Sequence, residues 1–109
     1  MWYSASLFFE SVYDPPNEDE ALWEEQILLI AGATQAEAEA EAERLGRARE
    51  LEYPSASGVR VRCVLRATRC CCIEDASLSS GTELFSRFLR ASEAKSMLAP
   101  LGFVDGGEE

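Results

Sequence analysis

One strong helix signal, set between stretches of alternating apolar and polar residues, constrains the fold most. Thr34 and Glu37 form a capping box, in which the Thr34 hydroxyl accepts from the Glu37 amide and the Glu37 carboxylate reaches back. Residues 35–50 then consist largely of Ala, Glu, Leu and Arg, which are strong helix formers. Small apolar residues recur there at helical spacing, at Ala38, Ala42, Leu45 and Ala48. We therefore predict one main helix over 35–50 that lies close against a sheet.

Two stretches before the helix have the two-residue period of half-buried strands. Residues 2–13 predict a strand with one strongly apolar face, formed by Tyr3, Ala5, Leu7 and Phe9. Residues 22–31 predict a second strand. In it we assign Trp23, Ile27 and Leu29 to the face that the helix covers, with Glu24, Gln26, Leu28 and Ile30 opposite. The loop between the strands contains two prolines and an acidic run, so an antiparallel hairpin is the simplest pairing.

The second half of the chain predicts a turn, a long strand, a fourth strand and a short helix. Residues 53–58 form a turn cluster, and residues 59–73 alternate again, with the inward positions Val59, Val61, Cys63, Leu65 and Ala67. Fifteen residues are long for one strand, so we expect a bend or bulge near Thr68–Arg69. Residues 82–90 fit either a helix or a strand, and we predict a strand because its hairpin partner is adjacent. Ser92 caps a predicted helix over 93–99.

These elements predict an α+β fold of the order ββαββ with a small terminal helix. A four-stranded, largely antiparallel sheet carries the main helix on one face. We expect a single domain over residues 1–109, with its core in 2–90 and a frayed tail over 104–109. The strand order stays open between a β-grasp-like arrangement and a meander with a crossover.

Charge is distributed very unevenly along the chain. The net charge is −10, and residues 1–52 carry all of it, with 13 acidic and 3 basic residues. An acidic chain without a basic patch lacks the footprint of a nucleic-acid binder, and it is repelled by anionic lipid. An acidic group at one end of the first hairpin would steer a basic partner, and a solvated loop is the alternative reading. The group comprises Asp14, Glu18, Asp19, Glu20, Glu24 and Glu25.

The four cysteines, Cys63 and Cys70–Cys72, do not predict a metal site. In an extended chain Cys70 and Cys72 share one face and Cys71 points to the other, so the three do not converge on one ion. A structural zinc site usually needs two separated ligand pairs, and the chain has neither a second pair nor a histidine. We interpret these residues as small buried side chains in a reducing compartment. A redox role for an exposed thiol is the alternative.

Catalytic motifs are missing from the sequence. It contains no histidine, no phosphate-binding glycine loop and no nucleophile elbow. The carboxylates Glu10, Glu24 and Glu83 lie in or beside predicted strands, where a pair of them could form an acid–base site. We predict a protein that is not an enzyme, with no cofactor and no metal, and keep a carboxylate-based enzyme as an alternative.

The sheet face opposite the helix has the character of an interface. Large apolar side chains share it with a row of arginines: Trp2, Phe8, Leu28, Ile30 and Val64, with Arg60, Arg62 and Arg66. Tryptophan and arginine are enriched at binding hot spots. This face therefore predicts either a protein partner or a homodimer contact, unless the helix over 93–99 folds back and covers it.

Five short motifs of the chain resemble those of a known family: Trp2–Ala5, Phe9–Ser11, Leu22–Glu25, Gly81–Glu83 and Ser86–Phe88. The family that they resemble is the uncharacterised bacterial family called domain of unknown function 4288. The similarity runs over residues 2–89, and the Cys70–Cys72 run and the tail after Leu89 lie outside it. It implies a compact bacterial α+β domain with no catalytic residues to carry across.

We therefore predict a small, non-catalytic protein-binding module, with toxin neutralisation (an immunity-like role) as its most concrete form. A homo-oligomeric structural or regulatory domain is the alternative. The predicted partner-binding residues are Trp2, Phe8, Glu18, Asp19, Glu20, Glu24, Arg60, Arg62 and Arg66. We expect no nucleic-acid binding because the chain is acidic and has no basic patch, and no membrane binding because no apolar run reaches the roughly 18 residues of a membrane span. The start of the chain lacks a signal-peptide layout, which favours the cytoplasm.

Overall fold

A computed structural model describes residues 1–16, 21–75 and 77–102 of the chain. The elements in chain order are β1 (Trp2–Asp14), β2 (Trp23–Ala31), α1 (Gln35–Ala48), β3 (Leu51–Pro54), β4 (Arg60–Cys72) and α2 (Ala91–Leu98), followed by a 3₁₀ turn (Ala99–Leu101). The predicted tail over 104–109 lies outside the described residues.

The strands form one four-stranded sheet in the order β2-β1-β4-β3. Every neighbouring pair is antiparallel, and the two long strands β1 and β4 lie at the centre. Helix α1 connects one edge strand to the other and packs on one face of the sheet, mainly over β4 and β1. The α+β class, the antiparallel sheet and the single main helix are therefore confirmed.

The helix begins where its capping residues predict. The Glu37 amide donates to Thr34 Oγ1 at 3.1 Å, and the Ala33 amide donates to Glu37 Oε1 at 3.1 Å. These two bonds satisfy amides that a helix start would otherwise leave without partners. The helix ends at Ala48, two residues before the predicted end.

Small residues bring α1 close to the sheet, and the predicted stripe is confirmed at Ala38 and Ala42 but is wrong for Ala48, which is exposed. The buried positions of the helix are Ala38, Ala42 and Gly46, spaced four residues apart. A Cβ atom added at Gly46 would lie 2.7 Å from Leu65 Cδ2, so the helix backbone touches the core directly. The core combines these residues with the apolar face of the central strands: Tyr3, Ala5, Leu7, Phe9, Ile30, Leu65 and Cys70.

The side of β2 that packs under α1 is the opposite of the predicted side. Tyr3 lies opposite Ile30 and Ala5 lies opposite Leu28, so the side of β2 with Leu28 and Ile30 packs under α1. The side that carries Trp23, Ile27 and Leu29 faces away from the helix and is exposed. Both sides of β2 are apolar, so periodicity alone cannot choose between them. The register with β1 makes the choice.

The predicted fourth strand over 82–90 is also wrong, because those residues form no helix or strand. The partner of β4 is instead β3, whose last two residues, Tyr53 and Pro54, fall in the predicted turn cluster. The two are joined by a tight turn, in which the Ser55 amide donates to Val59 O at 2.7 Å and Gly58 has φ +86°. Glycine suits that left-handed conformation because it has no Cβ. A four-residue strand ending at Pro54 gives little periodic signal.

The expected irregularity in β4 is present, two residues before Thr68. Phe8 lies opposite Ala67 and Phe9 lies opposite Leu65, so Arg66 has no partner in the register. This bulge changes which side of β4 faces the core. Leu65 faces α1 before it, Cys70 faces α1 after it, and Ala67 points away.

Side chains of α1 and its following turn cover the edge of β4 that the short β3 leaves unpaired. The Leu65 amide donates to Glu50 Oε2 at 2.8 Å, and Arg47 Nη1 donates to Leu65 O at 3.4 Å. Further along, Gln35 Nε2 donates to Cys70 O at 3.0 Å. The main helix therefore protects a strand edge that would otherwise be open to pairing with another chain.

Glu50 makes this edge sensitive to acid. The hydrogen bond from the Leu65 amide, helped by Arg47, lowers the pKa of the Glu50 carboxyl from its ordinary value. A lowered folded-state pKa gives stability that is present above the ordinary pKa of 4.5 and is lost as the pH falls through the folded-state pKa.

We expect Glu50→Gln to be less stable than wild type near neutrality and to lose less stability on acidification. Urea unfolding at about pH 7 and about pH 3.5 measures the difference. Glu52→Gln, at an exposed pair with Arg60, is the control and should change little. An acid response of Glu50→Gln equal to that of wild type would contradict the assignment.

Candidate functional site

The sheet face opposite α1, which we call the open face, is the candidate site. Strand register places five large apolar side chains on it, which we call the apolar patch: Trp2, Phe8, Trp23, Ile27 and Leu29. Phe8 is half-buried, whereas Trp2, Trp23, Ile27 and Leu29 are 37%, 56%, 55% and 48% exposed. Isolated exposed apolar residues are ordinary on protein surfaces, but a contiguous group on one sheet face marks an interaction site.

The part of the chain that the structure describes covers only part of the open face. After β4 a segment over residues 83–86 crosses β1 and β4, where Ser4 Oγ donates to Leu84 O at 2.5 Å. The Arg69 guanidinium lies 5.0 Å from the centre of the Phe85 ring. This crossing buries Ser4 and Ser6 and leaves the β2 side of the face uncovered. An open cleft of about 370 Å³ runs along the segment and is lined in part by Cys71, Cys72, Glu74 and Glu83.

The predicted arginine row lies beside the apolar patch rather than within it. Arg60, Arg62 and Arg66 are exposed on β4. Arg60 pairs with Glu52 at 3.4 Å, and Arg66 pairs with Glu10 at 2.9 Å. These pairs offset positive charge that we had assigned to partner binding.

The structure brings together some of the predicted partner-binding residues and separates others. Trp2 and Phe8 lie on the open face as predicted. Glu24 does not, because it lies opposite Phe9 on the helix side of the sheet, where its carboxylate accepts from Gln26 Nε2 at 3.2 Å. Glu18, Asp19 and Glu20 lie outside the described residues. Leu28 and Ile30, assigned to the interface, pack in or against the core.

Sequence reasoning missed the most exposed members of the apolar patch, namely Trp23, Ile27 and Leu29. We had placed them beneath the helix. No local signal distinguishes the two sides of β2, because Ile27 and Leu29 alternate with the equally apolar Leu28 and Ile30. Glu25, opposite Phe8, is the acidic residue of β2 that faces the same way as the patch.

The three candidate catalytic carboxylates do not converge. Glu10 lies on the open face and pairs with Arg66, whereas Glu24 lies on the opposite face of the sheet. Glu83 lines the cleft beside Cys71 and Cys72. Within residues 1–16, 21–75 and 77–102, no group of three or more Cys, Asp or Glu side chains is placed to hold a metal ion.

The cysteine run alternates across the sheet as predicted. Cys70 and Cys72 lie opposite Ala5 and Tyr3 on the helix side, and Cys71 lies opposite Ser4 on the open face. Only Cys70 is buried, while Cys72 is exposed and Cys63 and Cys71 are intermediate. The interpretation as buried small side chains therefore applies to Cys70 and is wrong for Cys72.

These environments predict unequal thiol reactivity. Burial, with smaller contributions from Glu39 and Cys71, raises the pKa of the Cys70 thiol, and only the thiolate reacts readily. We expect iodoacetamide to label Cys70 at least about tenfold more slowly than Cys72. Brief labelling followed by tandem mass spectrometry locates the modified residue. Labelling in denaturant should remove the difference, and equal labelling of the folded chain would contradict it.

The C-terminal arm, defined as residues 87–102, does not cover the open face. Its helix α2 begins at Ala91, two residues earlier than predicted, with the Arg90 amide donating to Glu93 Oε1 at 2.8 Å. Among the described residues, no Cα atom of α2 lies within 8 Å of a strand or of α1. The predicted alternative, in which this helix folds back over the sheet of its own chain, is therefore not what the structure shows. No helix in the described part of the chain is long and apolar enough to cross a membrane.

One family model matches the part of the chain that forms the sheet and its main helix. The model of the family described as "Domain of unknown function (DUF4288)" matches residues 2–86. The chain belongs to this family. The matched DUF4288 region holds all four strands, α1 and the crossing segment, and it ends immediately before the C-terminal arm. No curated protein and no solved structure matches the chain.

Proposed function

We propose that this DUF4288 domain is a non-catalytic protein-binding module that holds its partner on the open face. The observation that carries the proposal is the apolar patch on the β2 side of that face, opposite the helix-covered core. Burial of a large apolar side chain gains about 1.5–3 kcal/mol, so a partner that covers several of them gains substantially. Tryptophan, present twice in the patch, is among the residue types that dominate binding energy.

The shape of the face favours a protein partner over a small molecule. Small-molecule sites are usually concave and bury most of the ligand surface. The apolar patch instead follows one pleated face of an edge strand and its neighbour, so it offers a broad surface. An amphipathic segment or a second sheet matches such a surface better than a compact ligand does.

Charge narrows the chemistry of the partner. On the open face, Glu25 lies on β2 and Glu10 lies opposite Trp23, so acidic residues adjoin the apolar patch, whereas the exposed arginines lie on β4. A partner with basic residues around an apolar stripe would be steered towards this surface. Neutralisation of a basic toxin by a bacterial immunity-like protein is the concrete form of this proposal. The free thiols suit a reducing compartment such as the cytoplasm.

A capture experiment with one matched control tests the proposal. Ile27→Glu places a charge in the apolar patch, and Leu51→Glu places the same charge at an equally exposed position on the other edge strand, at 58% against 55%. Wild type and Leu51→Glu, used as baits in the cells that produce the chain, should capture a protein that Ile27→Glu loses. Equal capture by all three baits would remove the open face from the function.

Fluorescence then tests the contact directly. Both tryptophans of the chain lie on the open face, so their emission reports on its exposure to water. Adding the purified captured protein should shift the emission to shorter wavelength and reduce quenching by acrylamide. Unchanged emission at saturation would place the contact elsewhere.

A further inference from the structure

We propose that the partner on the open face is a second copy of this chain, and that each copy lays its C-terminal arm on the apolar patch of the other. This inference rests on the proposed function, because it names the occupant of the same surface, and it puts a second copy there in place of a basic toxin. It predicts a closed dimer with two-fold symmetry, because each arm lies on the patch of the other copy and neither an arm nor a patch is left over for a third copy.

The first argument is that the arm is itself amphipathic and that no strand or main helix among the described residues packs against α2. Apolar residues recur along it at positions i, i+3, i+4 and i+7, which place them on one side of a helix: Ala94, Met97, Leu98 and Leu101. Phe88 is fully exposed, and Met97, Leu98 and Leu101 are exposed as well. An amphipathic helix normally gains its stability by packing this side against another element.

The second argument is that the arm holds a shape of its own away from the sheet. The Arg90 amide caps α2 through Glu93, and Arg87 Nη2 donates to Met97 Sδ at 3.5 Å. The Gly102 amide donates to Ala99 O at 3.1 Å and closes the final turn. The arm is therefore a preformed projection whose apolar side is open to a second molecule.

The third argument is charge complementarity. The arm carries three basic residues, Arg87, Arg90 and Lys95, against one acidic residue, Glu93. Around the patch, Glu25 lies on β2 and Glu10 lies opposite Trp23, while the exposed arginines of the open face lie on β4. The basic, apolar arm is therefore attracted to the β2 side of the open face.

The fourth argument is position. The arm leaves the body of the protein at Ser86, directly after Leu84 and Phe85 are held over the central strands of the open face. It therefore starts beside the apolar patch, about two strand spacings of roughly 4.8 Å from β2. A two-fold axis near this point brings each arm onto the neighbouring patch, and the same step covers both exposed apolar surfaces.

The test begins with the full chain, by light scattering across a dilution series with tryptophan emission recorded in parallel. We expect twice the monomer mass at high concentration. On dilution the mass should halve while the emission shifts to longer wavelength and acrylamide quenching increases, because dissociation uncovers Trp2 and Trp23.

Two variants on exposed residues separate the arm from the patch. Ile27→Glu damages the patch, and Leu98→Glu damages the arm. Each should weaken the dimer at least about 30-fold, the effect typical of losing a hot-spot residue. Ser96→Glu adds the same charge to α2 outside its apolar stripe and is the control, which should leave dimerisation nearly unchanged. Circular dichroism confirms that each variant is folded.

Mixing the two damaged variants gives the decisive result. A copy with Ile27→Glu keeps an intact arm, and a copy with Leu98→Glu keeps an intact patch, so a mixed dimer retains one of its two contacts. We expect the mixture to form a heterodimer at concentrations at which each variant alone is a monomer. A direct sheet-to-sheet dimer would give no such rescue, and its absence would overturn the arm exchange.

The remaining outcomes distinguish this inference from the proposed function. A monomer with quencher-accessible tryptophans would overturn the second copy as partner and leave the open face available to another protein. A monomer with protected tryptophans would mean that the arm covers its own sheet in solution, which overturns both proposals. A dimer unaffected by Leu98→Glu would also overturn the arm exchange.

Discussion

Replacing Leu7 with alanine is expected to lower the free energy of unfolding by about 3–4 kcal/mol. Leu7 is fully buried in the middle of β1, one of the two central strands. Its Cδ2 atom lies 3.2 Å from where a Cβ on Gly46 would be, so the helix backbone forms one wall of its site. The helix backbone cannot move fully into the space that alanine leaves, so the free energy of the remaining cavity adds to the loss of apolar burial.

A loss of this size is a large fraction of the stability of the domain, which for a chain of this length is about 5–15 kcal/mol. Urea unfolding followed by far-ultraviolet circular dichroism measures it. Leu51→Ala removes the same atoms from an exposed position on β3 and should cost less than about 1 kcal/mol. Equal losses in the two variants would show that Leu7 is not at the centre of the core.

Replacing Ala42 with leucine is expected to destabilise the fold by about 2–3 kcal/mol, although leucine is a good helix former. Ala42 is fully buried at the middle of the stripe by which α1 touches the sheet. The 2.7 Å separation between a Cβ placed on Gly46 and Leu65 Cδ2, one turn further on, shows how little space this contact contains. A leucine side chain must therefore push the helix away from the strands or distort its neighbours.

Ala40→Leu is the control that separates the effect of packing against the sheet from the effect of helix propensity on stability. Ala40 is exposed on the same helix, so the substitution makes the same chemical change without meeting the sheet. We expect its free energy of unfolding to stay within about 0.5 kcal/mol of wild type. If Ala42→Leu is equally benign, the helix lies further from the sheet than the structure places it.

Elements with a strong local signal could be predicted from the sequence. The capping box at Thr34 and Glu37 gives the start of α1 by a side-chain to backbone bond within four residues. The apolar face of β1 is equally clear, because its other face carries serines and a glutamate. Both features depend on residues that are close in the chain, so no tertiary knowledge is needed to read them.

The candidate site could be predicted only in part, because the register between β1 and β2 decides which side chains of β2 lie on the open face. Trp2 and Phe8 follow from the clear alternation of β1. The other three members of the patch lie on β2, where Ile27 and Leu29 alternate with Leu28 and Ile30, so hydrophobicity is the same on both sides. Pairing with β1 and the closeness of α1 decide which set is buried.

By itself the sequence determined the α+β class, the main helix with its small inner stripe, the central apolar strand and the concentration of acid in the first half. These properties are local, because each follows from a spacing of two to four residues or from the number of charged residues. Only the tertiary structure decided the strand order, the facing of β2, the use of residues 51–54 as the last strand and the departure of α2 from the sheet. Those outcomes depend on contacts between residues that are distant in the chain. Several apolar segments could fill the same core, and no local pattern shows which of them does.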